Sequence, residues 1–402
     1  MPSVFGSPPL CGRDRDLGRS PDGQLWSPPD PNLATLQTRV QREACGHGLG
    51  LLAAFLLLCT GLPVGAAVQW LLQSLAVTAF VHHRLRVQLV HNHPPGGQSV
   101  HPDLGAANRL TLIRGVLISS LAGLLLLPLT VLSSGPAWLA WAPGTIYLLA
   151  AGLDAADGLV ARSTGRVTTL GRRLDMEMDG LGLLAASALA VWLGRVPILY
   201  LSAGLAFYLF RFGLWYRRRR GRPVHPLPSR PFARTMAGLQ MGFVGVALLP
   251  VFSVTILHLA CFYFMFPLLL GFMVDWLSVS GRVAWARRMT RLSRPFLPML
   301  QLTARVSLLG LAVPVAGELA QSGLMGVQAL WWAALAMAVT GCCGRTASLG
   351  ACLMLAAVSA DAGLSPGLFI SFSSSLVILI LGTGRYSLWA PEERLLTTAA
   401  AP

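Results

Sequence analysis

Four aspartates lie close together in a segment that separates two long apolar runs of the chain. Because residues at i, i+3 and i+4 share a helix face, Asp154 and Asp157 can point the same way, as can Asp175 and Asp179 on the next helix. Two antiparallel helices joined by a loop could direct all four carboxylates to one point. Carboxylates at membrane depth are costly unless they are paired, hydrated or bound to a cation. Hard oxygen ligands of this kind favour Mg²⁺ or Mn²⁺, whose coordination substrate phosphates would complete.

The residues around these aspartates suit a phosphorylated ligand. The small residues Gly158, Ala161 and Gly171 would let a ligand approach the backbone. The guanidinium of Arg162 would form a charge-assisted contact with a phosphate. An alternative interpretation is a set of helix-end carboxylates at the membrane surface, neutralised by nearby arginines. That alternative explains the charges but not their spacing.

The spacing D-x2-D-G-x2-A-R-x8-G-x3-D-x3-D, which begins at Asp154 and ends at Asp179, resembles the signature of the CDP-alcohol phosphatidyltransferase family. Every fixed letter of that signature is present. The resemblance implies a membrane-embedded, divalent-metal-dependent transferase that moves a phosphoalcohol group from a CDP-linked donor to an acceptor hydroxyl and releases CMP. CDP-diacylglycerol is the favoured donor and a small alcohol the favoured acceptor, which would place the enzyme in phospholipid biosynthesis. The nearest alternative is an enzyme that uses a different CDP-alcohol with a lipid acceptor.

Carried over position by position, the resemblance assigns roles to individual residues. Asp154, Asp157 and Asp175 would be ligands of Mg²⁺ or Mn²⁺, with two ions expected. Asp179 would be a further metal ligand and the general base. The residues that would line the nucleotide site are Gly158, Ala161, Arg162, Gly171, Asn108 and Arg114. For Arg114, an anchor at the membrane interface is an equally favoured interpretation.

A second arginine-rich region follows the aspartates along the chain. Several family members hold the phosphate of the acceptor with basic residues in this region, so the resemblance makes Arg211, Arg230 and Arg234 candidates for acceptor binding. Gln240 would line the same site. The alternative is that arginines beside membrane spans set the orientation of the protein and contact lipids.

The composition excludes a soluble globular protein and a P-loop, and it bears on the partner of the basic residues. Hydrophobic residues make up 54% of the 402 residues and charged residues 12%, and the apolar runs are long enough to cross a bilayer. The net charge of +15 comes from arginine, because the chain contains no lysine. A P-loop is therefore excluded. The arginines lie between apolar runs, which favours membrane lipids over nucleic acid as a partner.

The order of these features predicts an all-α polytopic membrane protein of about twelve helices, with a six-helix transferase bundle at its centre. The predicted parts are a disordered cytoplasmic tail (1–44), a transmembrane hairpin and loop (45–104), the transferase domain (105–278), a basic interfacial linker (279–298) and a four-helix membrane domain (299–402). The last part, with Arg305 and the stretches 341–345 and 382–386, resembles the DoxX-like four-helix membrane proteins.

Five of the six histidines of the second part lie close together near its C-terminal end. The segment that contains His82, His83, His91, His93 and His101 is interpreted as a flexible interfacial loop. A metal site there is the less favoured alternative, because the prolines and glycines at 94–97 give it no fixed geometry.

The distribution of arginine predicts the orientation of the protein. If the six central helices alternate, most of their flanking arginines fall on one side, so the aspartate site would face the cytoplasm from the inner membrane of the cell. A homodimer is implied by the resemblance alone. The alternatives are a multi-span transporter whose aspartates bind a coupling ion and a non-catalytic scaffold. Aspartates at helix ends and the intact motif favour the enzyme over both.

Overall fold

The structure is a computed structural model that describes residues 31–97, 99–227, 231–321, 326–384 and 387–392. Within those residues it consists of α-helices and two short 3-10 helices (Leu89–His91 and Ile198–Tyr200) and contains no β-strand, which confirms the predicted all-α class. The chain divides into two compact units, Met1–Leu189 and Ala190–Pro402. The residue limits of the five predicted parts stay predictions.

The first unit holds the aspartate motif. Its helices are α1 (Pro31–Leu58), α2 (Val64–Gln88), α3 (Gly105–Gly123), α4 (Leu129–Ser134), α5 (Ala137–Ser163) and α6 (Thr169–Trp192), the last of which ends just inside the second unit. Consecutive long helices pack against each other, α1 on α2, α2 on α3 and α3 on α5. α3 therefore lies between the N-terminal hairpin and the helix that carries the first two aspartates.

The first helix begins earlier than the sequence pattern indicated. Residues 31–44, which were predicted to belong to a disordered tail, form the first half of α1, while residues 1–30 of that tail lie outside the described residues. Leu36 and Val40 explain the difference, since both are fully buried and lie one turn apart on the same helix face. Burial of these few apolar side chains was enough to pack residues 31–44 into the fold as a helix, although most of them are polar.

Three of the five histidines do not belong to a loop, since His91 ends a short 3-10 helix (Leu89–His91). His82 and His83 lie on α2, which continues to Gln88 because Val81 and Leu85 extend its buried face by one more turn. His82 is buried, and its Nε2 lies 3.0 Å from Nδ1 of His47 on α1. The interfacial loop is therefore shorter than predicted and begins after His91.

The second unit contains the remaining helices. They are α7 (Leu201–Arg219), α8 (Pro231–Ala247), α9 (Val254–Val279), α10 (Val283–Gly310), α11 (Ala312–Gln321), α12 (Val327–Thr340), α13 (Gly344–Ala362) and α14 (Pro366–Leu381). Most of the stretch predicted as a basic linker is helical and continues without a break into the first apolar segment of the C-terminal region, so that both form α10. The resemblance of this region to DoxX-like proteins stays a prediction.

Several helices are long and apolar enough to cross a membrane. Within the described residues four stretches have this character: Val64–His91, Ala137–Ser163, Ile198–Arg219 and Val254–Val279. A fifth is obtained if Phe296–Gly310 and Ala312–Gln321, which are bent by 55° relative to each other, count as one span. This result is consistent with a helical membrane protein. The number of helices long enough to span a membrane is smaller than the twelve helices that were predicted. α6 falls short because its first three turns carry five charged residues.

Candidate active site

A short turn brings the aspartate-bearing parts of α5 and α6 together. Gly165 adopts a φ of +62°, a left-handed conformation that favours glycine, directly after α5 ends. Thr168 then caps α6, because its Oγ1 accepts a hydrogen bond from the Gly171 amide at 3.0 Å. The end of α5 and the beginning of α6 are therefore neighbours, as the spacing of the aspartates predicted.

The guanidinium of Arg114 on α3 lies among the carboxylates. Its Nη2 is 2.9 Å from Asp175 Oδ1, its Nη1 is 3.5 Å from Asp179 Oδ1, and Nη1 also contacts Asp154 Oδ1. The Arg114 side chain is 3% exposed, whereas the side chains of these three aspartates are between 31% and 46% exposed. One buried cation thus joins α3 to both aspartate-bearing helices, and it offsets only part of their negative charge.

Asp157 differs from the other three aspartates because it is buried. Its Oδ2 accepts a hydrogen bond from Thr111 Oγ1 at 2.7 Å. Sequence reasoning missed Thr111, although a signal was present. Asn108, Thr111 and Arg114 are spaced by three residues, which puts them along one side of α3. All three side chains of this row are buried.

Three of the aspartates have the arrangement of a metal site. Carboxylate oxygens of Asp154, Asp157 and Asp175 lie within 4.8 Å of one another, and no other group of three His, Cys, Asp or Glu in the described part of the chain does so. Oxygens bound to one Mg²⁺ at about 2.1 Å would be about 3 to 4 Å apart. The donor set therefore fits a hard divalent cation after small side-chain movements. Asp179 is outside this group, and its role as a ligand stays a prediction.

The residues predicted to line a nucleotide form two close pairs. Asn108 donates from Nδ2 to a backbone carbonyl one turn earlier at 2.8 Å, and a Cβ added at Gly171 would lie 2.6 Å from Asn108 Oδ1. On α5, the exposed Arg162 places its Nη1 beside Gly158, at 3.3 Å from the position of an added Cβ. Ala161 is half-buried. The nucleotide contacts of these residues and of Arg114 stay predictions.

The residues predicted to bind the acceptor belong to the second unit. Arg211 is exposed, with its guanidinium 5.6 Å from the centre of a phenylalanine ring. Gln240 is fully buried and donates a hydrogen bond to the hydroxyl of Tyr200. Arg230 and the side chain of Arg234 lie outside the described residues. Their roles stay predictions.

Comparison with known proteins supports the interpretation of the motif. Residues 104–273 match the family model of CDP-alcohol phosphatidyltransferase. No curated protein and no solved structure matches the chain. Members of this family transfer a phosphatidyl group from a CDP-alcohol, and they depend in general on divalent metal ions. Together with the apolar helices, the match supports an integral membrane protein.

The match covers the four aspartates, Arg114 and Thr111, so all the residues of the cluster belong to the matched region. The family resemblance predicted from the aspartate motif is therefore confirmed for the centre of the chain: residues 104–273 are similar to the CDP-alcohol phosphatidyltransferases.

Proposed function

We propose that the protein transfers a phosphatidyl group from CDP-diacylglycerol to the hydroxyl of a small alcohol in phospholipid biosynthesis, with release of CMP. The observation that carries the proposal is the convergence of four aspartates in the family spacing, of which three contact Arg114 and the fourth, Asp157, is bonded to Thr111. A lipid donor is supported by the exposed apolar side chains of Leu159 and Met176, which flank the aspartates and are 62% and 57% exposed. Acyl chains could lie against such side chains.

Asp154, Asp157 and Asp175 would hold Mg²⁺ or Mn²⁺, and we propose two ions with Asp179 as a further ligand. Their carboxylate oxygens are the hard donors that these ions prefer. When bound, the ions would neutralise charge on the diphosphate and act as Lewis acids.

Asp179 would act as the general base. It would accept the proton of the acceptor hydroxyl while the acceptor oxygen bonds to phosphorus and the bond from phosphorus to the CMP oxygen breaks. Arg114 would contribute by orienting Asp175 and Asp179 before the substrates bind, because it contacts both carboxylates. The exposed guanidinium of Arg162 would contact a donor phosphate beside Gly158.

The remaining assignments follow the family resemblance. The small residues and Asn108 would line the cytidine diphosphate, and the acceptor would be held by Arg211, Arg230, Arg234 and Gln240. The excess of arginine on one side of the central helices supports a site that faces the cytoplasm from the inner membrane. Pairing of two chains through membrane helices is part of the same proposal.

The decisive experiment is a transfer assay with the purified full-length protein. Radiolabelled CDP-diacylglycerol is incubated with Mg²⁺ and one member of a panel of small alcohols, including phosphorylated ones, while CMP release is followed. We expect Mg²⁺-dependent CMP release with one alcohol, which would identify the acceptor. Glu43→Gln, a change outside the aspartate cluster, serves as a control that keeps the activity. Absence of CMP release with every alcohol would contradict the proposed reaction.

A further inference from the structure

The N-terminal hairpin formed by α1 and α2 precedes the family match, which begins at residue 104, yet it is bonded to the helix that carries two of the aspartates. Arg84 on α2 donates from Nε to Glu177 Oε2 at 3.1 Å and from Nη2 to Glu177 Oε1 at 2.6 Å. Two parallel hydrogen bonds of this kind fix the relative orientation of the two groups as well as their distance. The Glu177 side chain is 12% exposed and that of Arg84 31%, so the carboxylate is largely shielded from solvent and the guanidinium is partly exposed.

Glu177 lies midway between Asp175 and Asp179 in the sequence. Two residues correspond to about 200° around a helix, so Glu177 is on the side of α6 opposite the two aspartates. Arg114 therefore bonds to one side of α6, through Asp175, and Arg84 bonds to the other side. The two guanidinium groups on opposite sides therefore fix the orientation of α6 about its own axis, that is, which of its side chains face the aspartate cluster.

Further contacts from residues before the family match reach the same region. The amide of Thr169, the first residue of α6, donates to the carbonyl of His93 at 2.9 Å. In the turn before it, Arg166 Nη2 lies 2.5 Å from Asp103 Oδ1. The residues before the match thus contact α6 at three places: in the loop that precedes it, at its first residue and at Glu177 in its third helical turn.

The packing between α2, α3 and α6 leaves little room for movement. A Cβ added to Gly115 on α3 would lie 3.1 Å from Val81 on α2 and 3.2 Å from Met178 on α6. The three helices therefore meet at a glycine, and Met178 is next to both Glu177 and Asp179 in sequence. A rotation of α6 would be opposed by this contact as well as by the ion pairs.

We propose that the N-terminal hairpin is a positioning element of the active site, in which Arg84 holds Glu177 and thereby turns Asp175 and Asp179 towards the metal-binding cluster. This inference rests on the proposed function, since it assumes that the cluster binds divalent ions. Arg84 and Glu177 are positioning residues and would touch neither substrate nor metal. Loss of Arg84 would leave a largely buried carboxylate without its bidentate partner, and α6 could relieve this by rotating Glu177 towards water.

The test measures metal binding without any substrate. Mn²⁺ binding to the full-length protein in detergent is followed by electron paramagnetic resonance for the wild type, Arg84→Ala and the control Glu43→Gln. Glu43 forms an ion pair with Arg109 that also joins the hairpin to α3 but does not involve α6. We expect Arg84→Ala to weaken Mn²⁺ binding by about 10- to 100-fold, the usual effect of losing a group that orients metal ligands, and the control to bind normally.

A charge-swapped pair distinguishes positioning from general destabilisation. Arg84→Glu combined with Glu177→Arg restores the ion pair with its polarity reversed, and we expect it to recover at least part of the Mn²⁺ affinity that Arg84→Ala loses. Normal Mn²⁺ binding by Arg84→Ala would overturn the inference. A loss that the swapped pair does not reduce would overturn it as well, because the effect would then reflect misfolding.

The same proteins separate this inference from the proposed function. In the CMP-release assay we expect Arg84→Ala to lower kcat and to raise the Mg²⁺ concentration needed for half-maximal rate, with little change in the KM for the acceptor. A wild-type protein that binds Mn²⁺ but releases no CMP contradicts the proposed reaction only, and the binding experiment then decides the role of Arg84. A wild-type protein that binds no Mn²⁺ overturns both.

Discussion

Arg114 Nη2 lies 2.9 Å from Asp175 Oδ1, so a buried cation on α3 is bonded to a carboxylate on α6 that belongs to the metal-ligand group. The same guanidinium contacts aspartates of α5 and α6. Before any ion binds, the repulsion among the carboxylates is thus partly offset by a group of the protein itself. This arrangement makes the stability of the cluster depend on Arg114 and on divalent ions together.

Replacement of Arg114 by Leu is expected to lower the free energy of unfolding by about 1–3 kcal/mol. Breaking a fully buried ion pair costs about 3–5 kcal/mol, and the smaller value reflects the partial exposure of the aspartates. The measurement is unfolding in mixed micelles without divalent ions, so that only the loss of the ion pairs is compared. The control Arg109→Leu breaks an exposed pair and should cost about 0–1 kcal/mol. Equal losses in the two variants would contradict the prediction.

Asp179→Asn is expected to abolish transfer while donor binding is retained. The amide keeps the size of the side chain but cannot accept the proton of the acceptor hydroxyl, so CMP release should fall by about 10²- to 10⁴-fold. Donor affinity is measured separately by calorimetry with CDP-diacylglycerol. Full activity of this variant would remove Asp179 from the role of general base.

Thr111→Val is expected to reduce metal affinity or transfer rate by about 10- to 100-fold, because Asp157 loses the hydroxyl that orients its carboxylate. Valine has nearly the same shape as threonine, so the packing of α3 should change little. Thr111→Ser, which keeps the hydroxyl, is the matched control and should retain most of the Mn²⁺ affinity. If both variants bind Mn²⁺ equally well, the hydrogen bond to Asp157 has no role in metal binding.

Gly171→Ala is expected to destabilise the protein by about 1–3 kcal/mol, the usual cost of an added methyl group in a packed site. The new Cβ would lie 2.6 Å from Asn108 Oδ1, and the amide of Asn108 is held by a backbone carbonyl. Gly152→Ala on α5 is the control, because no atom lies within 4 Å of its added Cβ. That change should stabilise the helix by about 0.5–1 kcal/mol. Thermal unfolding that ranks the two variants in the opposite order would refute this account.

The pair of Asp103 and Arg166 makes a pH-dependent contribution to stability. A hydrogen bond from the Arg166 guanidinium lowers the pKa of the Asp103 carboxyl below its ordinary value. A lowered pKa in the folded state means that the pair stabilises the protein at neutral pH and that this contribution is lost as the pH falls through the lowered pKa. Because both side chains are partly exposed, the contribution should be at most about 1 kcal/mol.

The measurement compares the free energy of unfolding of the wild type and Asp103→Asn from neutral pH down to about pH 3. The difference between the two proteins should be largest near neutral pH and should shrink towards acid pH. A difference that stays constant over this range would show that the carboxylate charge of Asp103 contributes nothing.

Much of the fold and of the site follows from local patterns in the sequence. Apolar runs predict helices, and the run that leads into Asp154 and Asp157 forms α5 (Ala137–Ser163). The aspartates could be assigned to one cluster because the helical repeat fixes which residues of a helix share a face. The small residues of the motif could be recognised for the same reason. These inferences need only the 3.6-residue period and the length of the connecting turn.

Contacts between helices that are distant in sequence could not be obtained in this way. Thr111 and Asp157 are 46 positions apart, Arg114 and Asp175 are 61 apart, and Arg84 and Glu177 are 93 apart. The sequence shows that Arg114 belongs to an apolar segment, but either lipid headgroups or a neighbouring helix could satisfy its charge. The packing of α3 against its neighbours selects the second option. The partners of Arg114, Thr111 and Glu177 are thus consequences of tertiary packing, because a one-dimensional pattern specifies the face of a helix and not the helix that covers it.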